Sequence, residues 1–543
     1  MTNVREAAFD LFRSHGLTTV FGNPGSTELP MLEDFPADFR YVLGLQEMVP
    51  AGMADGYAQL TGRPALVQVH AAAGLGSAMG ALRNAWWNKT PLIVIAGNQR
   101  RSMQNTESLL TNTDATLFPR PVVKWAAEPA TAAEMPAVLA HAIHLAQAPP
   151  MGPVFISLPM DDWAVDLDET KAAELRAVAR RKVTHGGALA PAVAASIAEQ
   201  LARSERPALV VGGDVERAGA WDAMVSLAEH CRAPVWTAPF PGLRGFPEDH
   251  PLYQGELLPG ALWVAGALTG HDLVLVVGAP AFRYYPDVPD VPRPYPPGKT
   301  RLIYITSDPD EAARAVVGDA VVADVGLAIE ALLAQVPPRD RPAPPRRNPP
   351  RVRGSAVAPM HPSQLFAALA RVAPPETLWV AEAGASEMPL DEHIRPGRPF
   401  SHLTAAGAGL GFGLPASIGA QLAAPDRPVA AVIGDGSMHY AVTALWTAAT
   451  YNIPVTIVVP SSGEYGILKV FGELENITGV PGLDLPALDT VAAAASYGVP
   501  AHRANNADEV AELFTSSLAD RSGPTLIDVP IVKVKEALPG IWR

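Results

Sequence analysis

The stretch "VIGDGSMHYAV" (residues 432–442) sets an aspartate between two glycines directly after an apolar run. A second stretch, "VVPSSGEYGILK" (458–469), leaves another apolar run in a similar way. Continuous apolar runs without polar alternation read as parallel strands buried on both faces. Open α/β sheets bind ligands at the loops where such strands end. Gly434 and Gly436 permit a tight turn and close approach of the backbone to a ligand. Asp435 between them is an oxygen donor suited to Mg²⁺, which commonly shares its shell with phosphates. An aspartate there could equally cap the next helix. Ser462 and the backbone around Glu464 add oxygens at the neighbouring strand end and move the balance towards a metal.

The pattern around these loops repeats three times. "LTTVFG" (17–22), "ALVQVH" (65–70), "PLIVIAG" (91–97) and "PVFISLP" (153–159) form a first set of apolar runs. "PALVVGG" (207–213), "LVLVVGAP" (273–280) and "RLIYIT" (301–306) form a second. "TLWVAEAG" (377–384), "PVAAVIGDG" (428–436), "PVTIVVP" (454–460) and "PTLIDVP" (524–530) form the third. Amphipathic segments separate them: Val4, Ala8, Leu11 and Phe12 fall on one helical face, which Gly16 terminates. The reading is three doubly wound parallel-sheet α/β domains over residues 1–180, 185–340 and 355–543. Residues 337–360, "PPRDRPAPPRRNPPRVRGSAVAPM", are a proline- and arginine-rich tract expected to be an extended linker. Glycine-rich strand ends mark the outer two domains as ligand binders, and the middle one carries little functional signal.

Composition narrows the function classes. The 543 residues are 48% hydrophobic and 18% charged, the profile of a soluble enzyme. A net charge of −14 argues against a nucleic-acid partner, which needs a basic face. The one cysteine, Cys231, excludes an internal disulfide, and no Cys/His cluster offers a zinc site. No apolar signal core follows the N-terminus and no run reaches membrane-spanning length, so a cytoplasmic protein away from membranes is expected.

Taken together, the motifs resemble the thiamine diphosphate-dependent 2-oxo acid decarboxylase family, and within it the benzoylformate decarboxylases. The family's cofactor motif begins Gly-Asp-Gly and ends in Asn-Asn; here 27 positions separate Asp435 from Ser462, and the Asn-Asn is Ser461-Ser462. "TVFGNPGSTELP" (19–30), "LQEMVPAGMADGYAQ" (45–59), "HAAAGLGSAMGALRNAW" (70–86), "LLTNTDA" (109–115), "APAFRYY" (279–285) and "TALWTAATYNIP" (443–454) carry the resemblance across the chain. It implies a pyrimidine-binding N-terminal domain and a C-terminal domain that binds diphosphate and Mg²⁺. Activity on an aromatic or hydrophobic 2-oxo acid is implied too, in a homodimer or tetramer with its sites between subunits.

Residue roles follow from the same resemblance. Glu47 would hydrogen-bond the aminopyrimidine ring and favour its imino form, although a glutamate before an apolar helix is otherwise a solvated cap. The backbone of Ala408 and Gly409 would meet the exocyclic nitrogen, and Leu410 would be the wedge that bends the cofactor. Gly434, Asp435, Gly436, Ser437 and Tyr465 would complete the cofactor contacts, with Asp435, Ser462 and Glu464 as metal ligands. Glu464 is expected to act through its backbone carbonyl rather than its carboxylate. Ser26 would orient the substrate carboxylate and His70 would handle protons, a task suited to a group titrating near neutrality. Leu109, Leu110, Thr404, Leu468 and Phe471 would line the substrate pocket.

Three departures from the family pattern stand out. Ser462 replaces asparagine, and Thr404 with Ala405 replaces an aromatic residue and a cysteine. Tyr285 stands where these decarboxylases carry a histidine that protonates the carbon left by carbon dioxide. Tyrosine has an unperturbed pKa near 10 against about 6.5 for histidine, so it is the poorer acid. A carboligase or lyase acting on 2-hydroxy ketones is therefore an alternative, as is a cofactor-impaired relative without activity. A nicotinamide dehydrogenase is disfavoured, because no Gly-x-Gly-x-x-Gly opens a helix with an acidic residue about 20 positions on. The middle domain shows no specific sign of the flavin some relatives hold there.

Overall fold

In the computed structural model, which describes residues 2–285, 300–315 and 317–538, every apolar run quoted above is a parallel strand. Helix α1 (Val4–Ser14) opens with a capping box between Asn3 and Glu6, buries Val4, Ala8, Leu11 and Phe12, and ends before Gly16 at φ 70°. Three six-stranded sheets form the body of the molecule. The first orders its strands Arg40–Leu43, Thr19–Gly22, Ala65–Val69, Leu92–Asn98, Val154–Pro159, Ala126–Ala127. The third repeats that order with His402–Leu403, Leu378–Glu382, Val429–Ile433, Val455–Ser461, Thr525–Pro530 and Ala501–Arg503. Numbered along the chain, both outer sheets run 2-1-3-4-6-5. The middle sheet runs 3-2-1-4-5-6, from Tyr253–Glu256 through Val235–Thr237, Pro207–Val211, Leu273–Val277 and Arg301–Thr306 to Asp319–Val322.

These orders decide where ligands can sit. The order in which the chain adds strands reverses between the first and third strands of each outer sheet, leaving a crevice at their carboxyl ends. Asn23 to Ser26 and His70 emerge at the N-terminal crevice; Gly384 and the Gly434–Gly436 turn emerge at the C-terminal one. In the middle sheet the corresponding crevice is filled. A Cβ on Gly212 would stand 2.6 Å from the Gly278 carbonyl and 2.5 Å from Ala279 Cβ, so the two strand ends are in contact. Lys89 reaches in from the N-terminal unit to pair with Asp214 (2.8 Å) and Glu311 (2.9 Å).

Helix α2 (Met48–Thr61) follows Glu47, and helix α3 (Ala71–Trp87) follows His70. Helix α2 packs on helix α4 (Gly413–Ala423) of the third unit at backbone distance. A Cβ on Gly56 would lie 2.1 Å from the Ala416 carbonyl oxygen, and one on Gly419 would lie 1.8 Å from that of Met53. One apolar core accordingly runs from Phe21 and Val94 through this seam to Ile433 and Ile457, while the middle unit keeps separate cores. Residues 337–360 pass as coil between the second and third units. No described helix is long and apolar enough to cross a membrane.

Candidate active site

The Gly434–Gly436 turn and the loop after Val455–Ser461 stand next to each other because their strands pair directly. Asp435 accepts the Gly463 N–H at 2.7 Å and that of Gly436 at 2.9 Å, which locks its carboxylate between the two loops. Burial raises its pKa and these N–H donors pull it back down. The Ser462 hydroxyl donates to the Glu464 carbonyl at 3.3 Å, so three oxygen-bearing groups belong to one loop pair. The Glu464 carboxylate is engaged elsewhere, accepting from Val534 N–H at 2.7 Å and pairing with Lys469 at 2.5 Å. Of the two ways Glu464 could serve a metal, the carboxylate is taken up by these partners, while the carbonyl faces the Ser462 hydroxyl. Ser461 is also accounted for, since its hydroxyl bonds to Asp528.

These groups line one pocket with Leu410, Gly434, Gly436, Ser437, Tyr465, Gly384 and Ser386. Its floor needs glycine: a Cβ on Gly436 would meet Tyr465 Cε1 at 2.7 Å. Hard oxygen donors beside a glycine turn and two serine hydroxyls fit Mg²⁺ and a diphosphate. Leu410 is 36% exposed beside the pocket, unlike a core leucine. Ala408 precedes it at φ 52°, and Gly409 is bonded through both main-chain groups to Asn84 of helix α3. Glu382, buried at the end of its strand, accepts Gly411 N–H at 2.8 Å and Gly413 N–H at 2.5 Å. Burial pushes its pKa up to about 7 against the pull of those donors.

All residues lining that pocket come from positions 362–537. The other expected groups sit on the first unit. His70 bonds through Nδ1 to Glu28 (2.8 Å) and Thr27 (3.3 Å), and a Cβ on Gly25 would collide with its ring at 2.0 Å. Ser26 is exposed beside them. Glu28 was not singled out in the sequence, yet it is buried and also accepts the N–H groups of Gly25, Ala71 and Gly97. Only its place two residues after Ser26 hinted at it. Glu47 is not the solvated cap of the plainer reading: it is 9% exposed, makes no capping bond, and lies so close to Gly74 that a Cβ there would be 2.6 Å from Oε1.

A third group lies on the C-terminal side. Tyr285 packs edge-on against Phe471, with ring centres 5.0 Å apart, on helix α5 (Gly466–Leu474), which also carries half-exposed Leu468. Thr404 is partly buried and its N–H bonds the Gly242 carbonyl at 3.0 Å. Leu109, 85% exposed, and partly buried Leu110 project from the loop after Leu92–Asn98 of the first unit. The expected residues of a single chain thus fall into two groups, one with Ser26, Glu47, His70 and Leu109, the other with the oxygen pocket, Leu410, Tyr285 and Phe471.

Comparison with known proteins shows the family. Residues 2–117 match the thiamine pyrophosphate enzyme N-terminal TPP binding domain, 194–332 the central domain and 382–529 the C-terminal TPP binding domain. The chain is 45% identical over 531 residues to a benzoylformate decarboxylase of Pseudomonas aeruginosa, covering 98% of this chain and 99% of that one. A thiamine diphosphate-dependent 4-hydroxybenzoylformate decarboxylase of Rhodococcus jostii RHA1 superposes with a TM-score of 0.94 at 44% identity, over 98% and 99% of the two chains. A benzoylformate decarboxylase of Polynucleobacter necessarius gives 0.93 at 39%, again over 98% and 99%.

Proposed function

The chain belongs to the thiamine diphosphate-dependent 2-oxo acid decarboxylases, and from that premise we propose that it converts an aromatic, benzoylformate-like 2-oxo acid to the aldehyde and carbon dioxide, using Mg²⁺. The observation that carries the proposal is the pocket in which Asp435, Ser462 and the Glu464 carbonyl meet a glycine turn beside exposed Leu410. Thiamine diphosphate, when bound, supplies the electron sink that carbon dioxide loss requires. Asp435, Ser462 and Glu464 would hold the metal, with Gly434, Gly436, Ser437 and Tyr465 around the diphosphate. Glu47 would stabilise the imino form of the pyrimidine ring. The exposed Ser26 hydroxyl would receive the substrate carboxylate, and His70, held by Glu28, would move the proton on the former ketone oxygen. The apolar side chains of Leu109, Leu110, Leu468 and Phe471 suit an aryl group, with Thr404 leaving room beside them.

The two groups of residues in one chain support a homodimer in which each site takes one half from either copy, two dimers forming a tetramer under closed symmetry. A monomer that keeps full activity in active-enzyme sedimentation would sink this. Assay of the reconstituted enzyme with benzoylformate, thiamine diphosphate and Mg²⁺, following carbon dioxide and aldehyde, tests the function itself. No release of either product from any aromatic 2-oxo acid would overturn it.

Tyr285 favours a second reading. Half exposed on Phe471, it would offer a phenol rather than an imidazole where a proton has to reach the carbon left by carbon dioxide. Slower protonation there would favour a 2-hydroxy ketone over the aldehyde when aldehyde is supplied. Tyr285→His is expected to shift product from hydroxy ketone to aldehyde at fixed aldehyde concentration. An unchanged ratio would leave Tyr285 as pocket lining.

A further inference from the structure

We propose that Asn84 is a positioning residue for the cofactor: reaching across from helix α3, its carboxamide grips both main-chain groups of Gly409 and presets the adjoining backbone and the Leu410 side chain that the cofactor would meet. The proposal rests on the thiamine diphosphate reading of the site.

The geometry is a two-point clamp. Asn84 Nδ2 donates to the Gly409 carbonyl at 2.9 Å, and Gly409 N–H donates to Asn84 Oδ1 at 3.1 Å. A planar amide matched to a peptide edge in this way cannot pivot as a single bond can, and the pair of bonds fixes which end of the amide is which. Asn84 is 3% exposed, so water does not compete for either bond.

The sequence around Gly409 is built for this contact. A Cβ at 409 would stand 2.5 Å from Asn84 Oδ1, and one at 407 would stand 2.8 Å from Trp87 Cδ1, one turn further along α3. Ala408 between them is held at φ 52°, a left-handed conformation that a side-chain-bearing residue keeps only where its surroundings over-determine it. Asn88 adds a bond to Ala406 N–H at 2.9 Å. Beyond Leu410, Glu382 takes the N–H groups of Gly411 and Gly413. Leu410 is therefore flanked by tied backbone on both sides and is itself presented outward. The α2–α4 seam already joins the two units through glycine contacts, so Asn84 is not needed merely to hold them together.

The experiment compares Asn84→Ala and Asn84→Asp with the wild-type holoenzyme. The readout is the rate at which the bound cofactor's thiazolium C2 hydrogen exchanges for deuterium, measured by acid quench and NMR. That rate reports on how the cofactor is held, and a residue that only packs would not change it. Asp keeps the size and the acceptor but loses the donor to the carbonyl, so it serves if the alanine variant does not fold. Both are expected to slow exchange by at least about tenfold with cofactor still bound. Exchange within about twofold of wild type in a folded, cofactor-loaded variant overturns the proposal. Failure of the wild type to bind thiamine diphosphate with Mg²⁺ in calorimetry is a separate result, and it takes down the reading of the site along with the clamp.

Discussion

Folding takes the Glu47 carboxylate out of water and gives it no capping bond, an arrangement that contributes nothing to the helix it precedes. Glu47→Gln keeps the shape and removes the acid. Turnover is expected to fall at least about tenfold, roughly 1.4 kcal/mol in the barrier, while calorimetry shows cofactor still bound. An unchanged rate would remove Glu47 from the chemistry. In the other group, Ser462 offers a short hydroxyl that already donates to the Glu464 carbonyl. Ser462→Asn is expected to lower the dissociation constants for Mg²⁺ and cofactor, because an amide oxygen reaches further and donates no proton. Equal or weaker binding would mean that another group completes the shell.

At the scale of elements, the long central strands were legible because each is a continuous apolar run buried on both faces, whereas the short interior strand Val235–Thr237 was not read. The edge strands were not: His402–Leu403 and Ala126–Ala127 are two residues each, too short to show any period. That the Gly434–Gly436 turn and the loop at 461–464 are neighbours could be read from glycine, aspartate and strand ends alone. The roles of Glu47 and Leu410 needed the family resemblance, since each looks ordinary in isolation. Asn84, Glu28 and Glu382 escaped notice because their partners are distant in sequence or are backbone groups, which leave no mark on residue type. The glycines of the seam escaped for the same reason, although Gly56 and Gly419 allow α2 and α4 to touch main chain to main chain. Gly419→Ala forces a methyl group to within 1.8 Å of the Met53 carbonyl oxygen. It is expected to destabilise by about 1–3 kcal/mol or more in denaturant titration. A loss below about 0.5 kcal/mol, the size of an ordinary surface change, would show that the helices can part freely.

For the whole molecule, buried acids set how stability follows pH. Burial raises Asp55 to about 6 and Glu382 to about 7, above their ordinary carboxylate values. The folded state therefore holds these protons more tightly than the unfolded chain. Their contribution is complete below the unfolded carboxylate pKa, near about 4, and is lost as pH rises through 6 and then 7. Denaturation midpoints are expected to fall between about pH 5 and 8, and Glu382→Gln to make that decline shallower whatever its own stability. A midpoint that rises over this range would show that other groups dominate.

The coil at 337–360 and the α2–α4 seam have a joint consequence for a protease. Arg346, Arg351 and Arg353 are exposed, and the residue after each is not proline, so trypsin has open bonds there. The strongest contact between the first and third units does not pass through that coil; it lies in the packed glycines of two helices. A nicked chain is thus expected to run as two fragments in denaturing gels, yet to elute at its original size in native buffer with cofactor retained. The peptide chain here delivers the third unit to the first, and once they have met, its continuity is dispensable.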